Sequence, residues 1–144
     1  MGDDLAVANV NRSYSLAAIS IAIFTFMLIF MYPRFVSGEI NAFLFQTALI
    51  VMGVSTFSFV FSAFYYYWAS MGNRIDDVER ALCSRRADRF WLLGCLLLFL
   101  DPSVILVSVR LLVAASVWFV LWLVYLLFVI RYFPKVQTLK QSSR

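Results

Sequence analysis

The chain contains no histidine, only three prolines, five glycines and two cysteines. Each scarcity closes off a class of chemistry. Without histidine there is no axial imidazole for a haem, no His-based hydrolytic dyad and no common zinc site. Cys83 and Cys95 are twelve residues apart and form no CxxC pair, which argues against a thiol oxidoreductase. Both fall in or just above the expected inner leaflet, so no structural disulfide is predicted. The few glycines make no phosphate-cradling loop, and the acids near the membrane do not cluster as a metal-dependent headgroup transferase requires. We therefore expect no enzyme activity, no cofactor and no metal.

Charge is scarce as well, at 14% of residues, while 63% of the 144 residues are hydrophobic and 18% aromatic. A soluble domain of this size and composition would expose large apolar patches. Inside lipid the backbone must satisfy its own hydrogen bonds, and the apolar runs here are continuous rather than alternating, so helices are predicted and not a barrel. The expected fold is all-α: a single transmembrane domain over residues 1–144, with four transmembrane helices arranged as two helical hairpins. The lipid bilayer is its first partner. The net charge of +4 does not imply nucleic acid, because the basic residues are divided between one loop and the C-terminal tail.

The first apolar run, Tyr14 to Tyr32, is ~28 Å long at 1.5 Å per residue. That exceeds a signal-peptide core, and no small-x-small site follows. Residues 1–13 are expected to be frayed or interfacial, and Ala6 stands where a myristoylation signal requires Ser or Thr. Pro33 is expected to end the helix, with Ser37 and Gly38 as turn material in an outer loop. A second helix from about Asn41 to Ser70 is ~45 Å long and must tilt or project, Tyr65, Tyr66, Tyr67 and Trp68 marking its inner interface.

Met71 to Arg89 is the one internal stretch suited to water. It carries Arg74, Arg80, Arg85, Arg86 and Arg89 against Asp76, Asp77, Glu79 and Asp88. Asn73 is a plausible N-cap, Ile75, Val78 and Leu82 fall on one helical face, and Asp76 with Arg80 and Arg85 with Asp88 are spaced to pair. The five arginines mark either a linker helix lying on headgroups and neighbouring helices, or a docking surface for a soluble partner or an anionic lipid.

The block from Phe90 to Tyr132 can be divided at Asp101-Pro102-Ser103 or at Arg110. Val109-Arg110-Leu111 contains no Gly, Pro, Asn or Ser, whereas Asp is a favoured N-cap and Pro a favoured first helical residue. The preferred division therefore gives helices at about 86–100 and 102–132, followed by a tail at 134–144. Ten Lys and Arg then flank one side, against Arg34 alone on the other, which predicts both termini and the 71–89 linker in the cytoplasm. A bacterial inner (plasma) membrane is the expected location.

Ala48, Ser55, Ser62 and Ala69 lie seven apart on the second helix, with Ser58 on the same side, forming a small-residue seam. Such seams let helices approach closely and hydrogen bond across the contact. The partner is helix one or four of the same chain, another subunit, or less often the lining of a pore. Arg110 falls eight residues inside the fourth helix, where it either snorkels to the outer face, meets Asp101 or Glu39 of a neighbouring helix or subunit in a polar interior, or lines an anion-selective path. Asp101 is read as a helix N-cap. Trp118, Trp122, Tyr125 and Tyr132 recur at helical spacing as a packing face. The leading function is a non-enzymatic multi-pass subunit that assembles with itself or with other membrane subunits and anchors or couples a cytoplasmic partner. The alternative is a small homo-oligomeric channel or transporter with Arg110 and the serine seam near its path.

Overall fold

A computed structural model describes the backbone of residues 2–71 and 76–142, and the side chains of residues 7–71 and 76–131. It is all-α, with four helices: α1 (Gly2–Val36), α2 (Ala42–Ser70), α3 (Asp77–Ser108) and α4 (Leu112–Ser142). Each is long and apolar enough to cross a membrane.

The stretch before Tyr14, expected as frayed or interfacial, is part of α1. It gains partners there: the Arg12 guanidinium stands 4.0 Å above the Trp91 ring, and buried Ser13 shares a 3.3 Å hydrogen bond with Ser62. Nor does Pro33 end α1. A proline in the final turn removes one helical bond, and the chain stays helical to Val36. The helix stops at Gly38, whose φ of 77° is the left-handed conformation that glycine adopts freely. Gly38 N–H then reaches back to the Phe35 carbonyl at 3.2 Å and Glu39 N–H to that of Arg34 at 3.0 Å, satisfying carbonyls a helix end would leave bare. Asn41 caps α2, its side-chain oxygen accepting from Leu44 N–H at 3.1 Å.

The second turn corrects the sequence reading. Asp101 and Pro102 lie inside α3, and the break falls at Val109-Arg110-Leu111. Helices at 86–100 and 102–132 are therefore replaced by Asp77–Ser108 and Leu112–Ser142. Arg110 takes the place that Gly38 holds in the first turn, with φ 65°. Its N–H donates to the Val107 carbonyl at 3.0 Å, and Leu111 N–H donates to that of Leu106 at 2.9 Å. The two turns thus close with the same crossed pair of bonds, one around glycine and one around arginine.

Two costs explain the choice. Ending α3 at Leu100 leaves only ~16 Å of apolar helix from Phe90, about half of a ~30 Å hydrocarbon core, whereas running to Ser108 gives ~28 Å. A break at Asp101 would also carry Arg110 into the span, where an arginine costs at least ~2.5 kcal/mol, and in the observed turn it is exposed instead.

Each helix packs on its neighbour in sequence, most extensively α2 on α3. Contacts between Ser13 and Ser62, Phe35 and Phe45, Ser62 and Ala87, Ser55 and Gly94, Trp118 and Phe99, and Trp122 and Leu96 run in opposite senses along each pair, so consecutive helices are antiparallel. The core lies among α1, α2 and α3. One cluster is built on Met27, Ile40, Phe45, Ala48 and Met52, and a second on Ala17, Phe59 and Cys95. α4 is the most exposed span; of its described side chains only Ala115 is fully withdrawn.

A left-handed conformation is strained for arginine and free for glycine, and that gain exceeds the extra entropy glycine brings to the unfolded chain. Arg110→Gly should raise stability in a detergent melt by roughly 0.5 to 1 kcal/mol, while the β-branched Arg110→Val should lower it. A loss with Arg110→Gly would contradict the turn.

Candidate functional site: a polar seam between α1, α2 and α3

On α2 the seam is Ala48, Ser55 and Ser62, all at 0% exposure. On α3 it is Ala87, Gly94, Asp101 and Ser108, all buried and also seven apart. A step of seven returns a side chain to nearly the same face of a helix, so the two rows oppose each other along the whole contact. Three hydrogen bonds fix one register. Ser62 Oγ donates to the Ala87 carbonyl at 3.0 Å, Ser55 Oγ to the Gly94 carbonyl at 2.8 Å, and Asn41 N–H to the Ser108 carbonyl at 3.3 Å. The same register sets Ala48 opposite Asp101.

The backbones approach so closely at Gly94 that a Cβ there would sit 2.8 Å from the Phe59 ring. Ser58 is also buried and donates to the Val54 carbonyl of its own helix, and Ala69 is half-buried. The seam residues on α2 therefore meet α3 and, through Ser13, α1. The expected contact with helix four is not made by these hydrogen bonds, because the longer α3 lies along α2 instead. Ser55, Ser58 and Ser62 each donate to a carbonyl of this chain.

Asp101 is the anomaly in this row. It is 0% exposed, and neither carboxyl oxygen has a hydrogen-bond partner among the described residues. Ser103 Oγ, on a side chain 5% exposed, is unpartnered in the same sense. Asp101 is ~16 Å along the helix from Phe90 and ~10 Å from Ser108, which puts it well inside the apolar stretch. Pro102 follows it and has no N–H for the Leu98 carbonyl. Around this gap the indoles of α4 donate to α3 carbonyls, Trp118 to Phe99 and Trp122 to Leu96, each at 2.9 Å, and Tyr125 packs on Phe99 at 5.0 Å. The aromatic face expected on the fourth helix is thus partly a set of hydrogen-bond donors that tie α4 to the proline-bearing part of α3.

Arg110 is remote from this chemistry. It stands exposed in the turn, it is not inside a helix, and no pairing with Asp101 or Glu39 is present among the described residues. At the other end of α3, Arg85, Arg86 and Arg89 are exposed and Arg80 lies 3.7 Å from Asp77. Arg74 and the expected N-cap Asn73 lie outside the described residues; α3 begins at Asp77, after Asp76. Asp88, spaced to pair with Arg85, instead accepts a hydrogen bond from the Tyr66 hydroxyl. The arginines and the seam are therefore separate features. Among the described residues no three acidic or cysteine side chains converge where a metal could bind.

Sequence reasoning took Asp101 for a cap and missed it as a buried group. The signal was present: Ala87, Gly94, Asp101 and Ser108 repeat the spacing of the α2 seam.

Four membrane-capable helices joined by small-residue and indole contacts define an integral membrane protein of the all-α class. No family model, curated protein or solved structure matches the chain, so its function rests on the geometry above.

An unpaired buried carboxyl costs stability that a carbon skeleton of the same branching does not. Asp101→Leu should raise stability by about 1 to 3 kcal/mol in a chemical or thermal melt. A loss of similar size would show that the carboxyl has a stabilising partner.

Proposed function

We propose that the protein is a non-enzymatic, multi-pass membrane subunit whose charged helical extension holds a soluble partner at the cytoplasmic face. The observation that carries this reading is the start of α3. It is helical from Asp77, and it exposes Val78 and Leu82 one turn apart, at 71% and 50%, with exposed Arg85 and Arg86 three and four residues beyond Leu82 on the same face. An apolar pair followed by arginines, on a helix continuous with a span, suits docking by a complementary helix or groove. Residues 134–144 supply further basic charge to the same side, and the ten-to-two distribution of Lys and Arg, with Arg34 and Arg110 at the opposite turns, supports a cytoplasmic location for both. The exposed apolar face of α4 supports assembly with copies of this chain or with other membrane subunits.

A specific observation favours one second reading. Asp101 inside the span is a group able to take up and release a proton, which supports a small proton-coupled transporter with Asp101, rather than Arg110, at its centre.

Reporters inserted at Arg80 and fused after Arg144 should read cytoplasmic, and one at Ser37 external. A photo-crosslinker at Val78 should capture one soluble protein in cells, and Arg85→Gln with Leu82→Ala should abolish the adduct. Reconstituted alone, the chain should leave a pH gradient across vesicles intact. An external reading at Arg80 would overturn the anchor, as would proton leakage that Asp101→Asn abolishes.

A further inference from the structure

Between α2 and α3, on the side away from the seam's hydrogen bonds, an open groove of about 450 Å³ is lined by Ile50, Val54, Phe57 and Phe61 of α2 and by Phe90 and Leu93 of α3. Its depth depends on Gly53, where an added Cβ would meet nothing within 4 Å. Ser58 also borders it, but its hydroxyl is spent on the Val54 carbonyl, so the groove offers no free polar group there. From Ile50 to Phe61 it extends ~16 Å along the helix, about half of a ~30 Å hydrocarbon core. One leaflet's acyl chain has that reach.

The upper end of the groove is aromatic and then basic. Phe90 packs against Phe61 at 5.7 Å and stacks on Tyr65 at 5.6 Å. Arg86 precedes Phe90 by four residues and Leu93 by seven, and Arg89 precedes Leu93 by four, so both share the groove's face of α3. Both are exposed and neither has an acidic partner among the described residues. Side chains lean toward a helix N-terminus, which here is away from the apolar stretch, so the two guanidinium groups reach to headgroup level above the groove. Of the nearby acids, Asp88 is engaged by Tyr66, Asp77 lies beside Arg80, and Glu79 stands ~10 Å beyond Arg86 on the same face.

We propose that this groove binds one anionic phospholipid, with its phosphate between Arg86 and Arg89 and one acyl chain lying against Gly53 and Phe57. The site lies on the same face of α3 as Val78 and Leu82 but one to three turns further along, and it uses neither of those side chains, so it stands whether or not a soluble partner docks there. Arginine presents paired donors to phosphate oxygens, and the apolar groove holds the chain that a soluble anion lacks.

The test is native mass spectrometry of the full chain in mild detergent, titrated with phosphatidylglycerol and, separately, phosphatidylcholine. The wild type should saturate at one phosphatidylglycerol and prefer it over phosphatidylcholine. Arg86→Gln with Arg89→Gln should weaken phosphatidylglycerol binding about tenfold to thirtyfold and erase the preference. Gly53→Leu, which fills open space, should keep the helical melt and lose the single bound lipid of either kind; Ile50→Trp fills the same groove from its other end should that variant fail to fold. Unchanged binding in the arginine pair would overturn the headgroup site. Unchanged binding in both groove-filling variants, or lipid uptake that never saturates in the wild type, would overturn the groove.

Discussion

The approach of α2 to α3 through a row of small side chains is the contact on which the rest of the molecule depends. In lipid there is no gain from hiding apolar surface between helices, so association relies on close packing and on hydrogen bonds that hydrocarbon cannot supply. Ser55 and Ser62 meet both needs. They are small enough for the backbones to approach, and their hydroxyls bond to the Gly94 and Ala87 carbonyls across the gap. Once that register is set, Asn41 falls beside Ser108 and the two short turns are tied by a backbone hydrogen bond. α1 joins through Ser13 at Ser62, and α4 is held to the other side of α3 by two indole donors.

The register also exacts a compromise between two charges. Placing Arg110 in the turn frees the span of a guanidinium, which has no accessible neutral form, and the same placement draws Asp101 into the interior. A carboxyl is neutralised by a single proton, so of the two groups it is the cheaper to bury. The strain of a left-handed arginine is the other cost. Both are concentrated within ten residues of α3 and its exit, where Pro102 has already removed a backbone hydrogen bond.

Composition and periodicity made much of this legible. Four apolar helices follow from the continuous runs, the start of α2 follows from Asn41, and the α2 seam follows from the spacing of Ala48, Ser55 and Ser62. The second turn was not legible, because the usual markers point the wrong way. Asp101-Pro102 has the chemistry of a helix start, and Val109-Arg110-Leu111 has none of a turn. What decides between them is span length and the placement of Arg110 relative to lipid, both global quantities. The extent of α1 was hidden for a similar reason. Residues 2–13 are polar and read as interfacial, and their helix is stabilised by Trp91 and Ser62, which lie far away in sequence. Exposed features such as Arg86 and Arg89 were visible singly, but the groove beside them exists only once α2 and α3 are packed.

The seam is tested most directly by comparing two glycines that differ in what surrounds them. Gly94 faces Phe59 with no room for a methyl group, and Gly53 faces open space. Alanine favours a helix over glycine by ~1 kcal/mol at either position, so any difference between the two variants reports packing. Thermal unfolding in mild detergent should show Gly53→Ala as stable as the parent or more so. Gly94→Ala should be destabilised by about 1 to 3 kcal/mol, despite its better propensity, as the ring and helix are forced apart. Equal stabilisation by both substitutions would mean that α2 and α3 do not meet at this register, and would contradict the arrangement on which the other contacts rest.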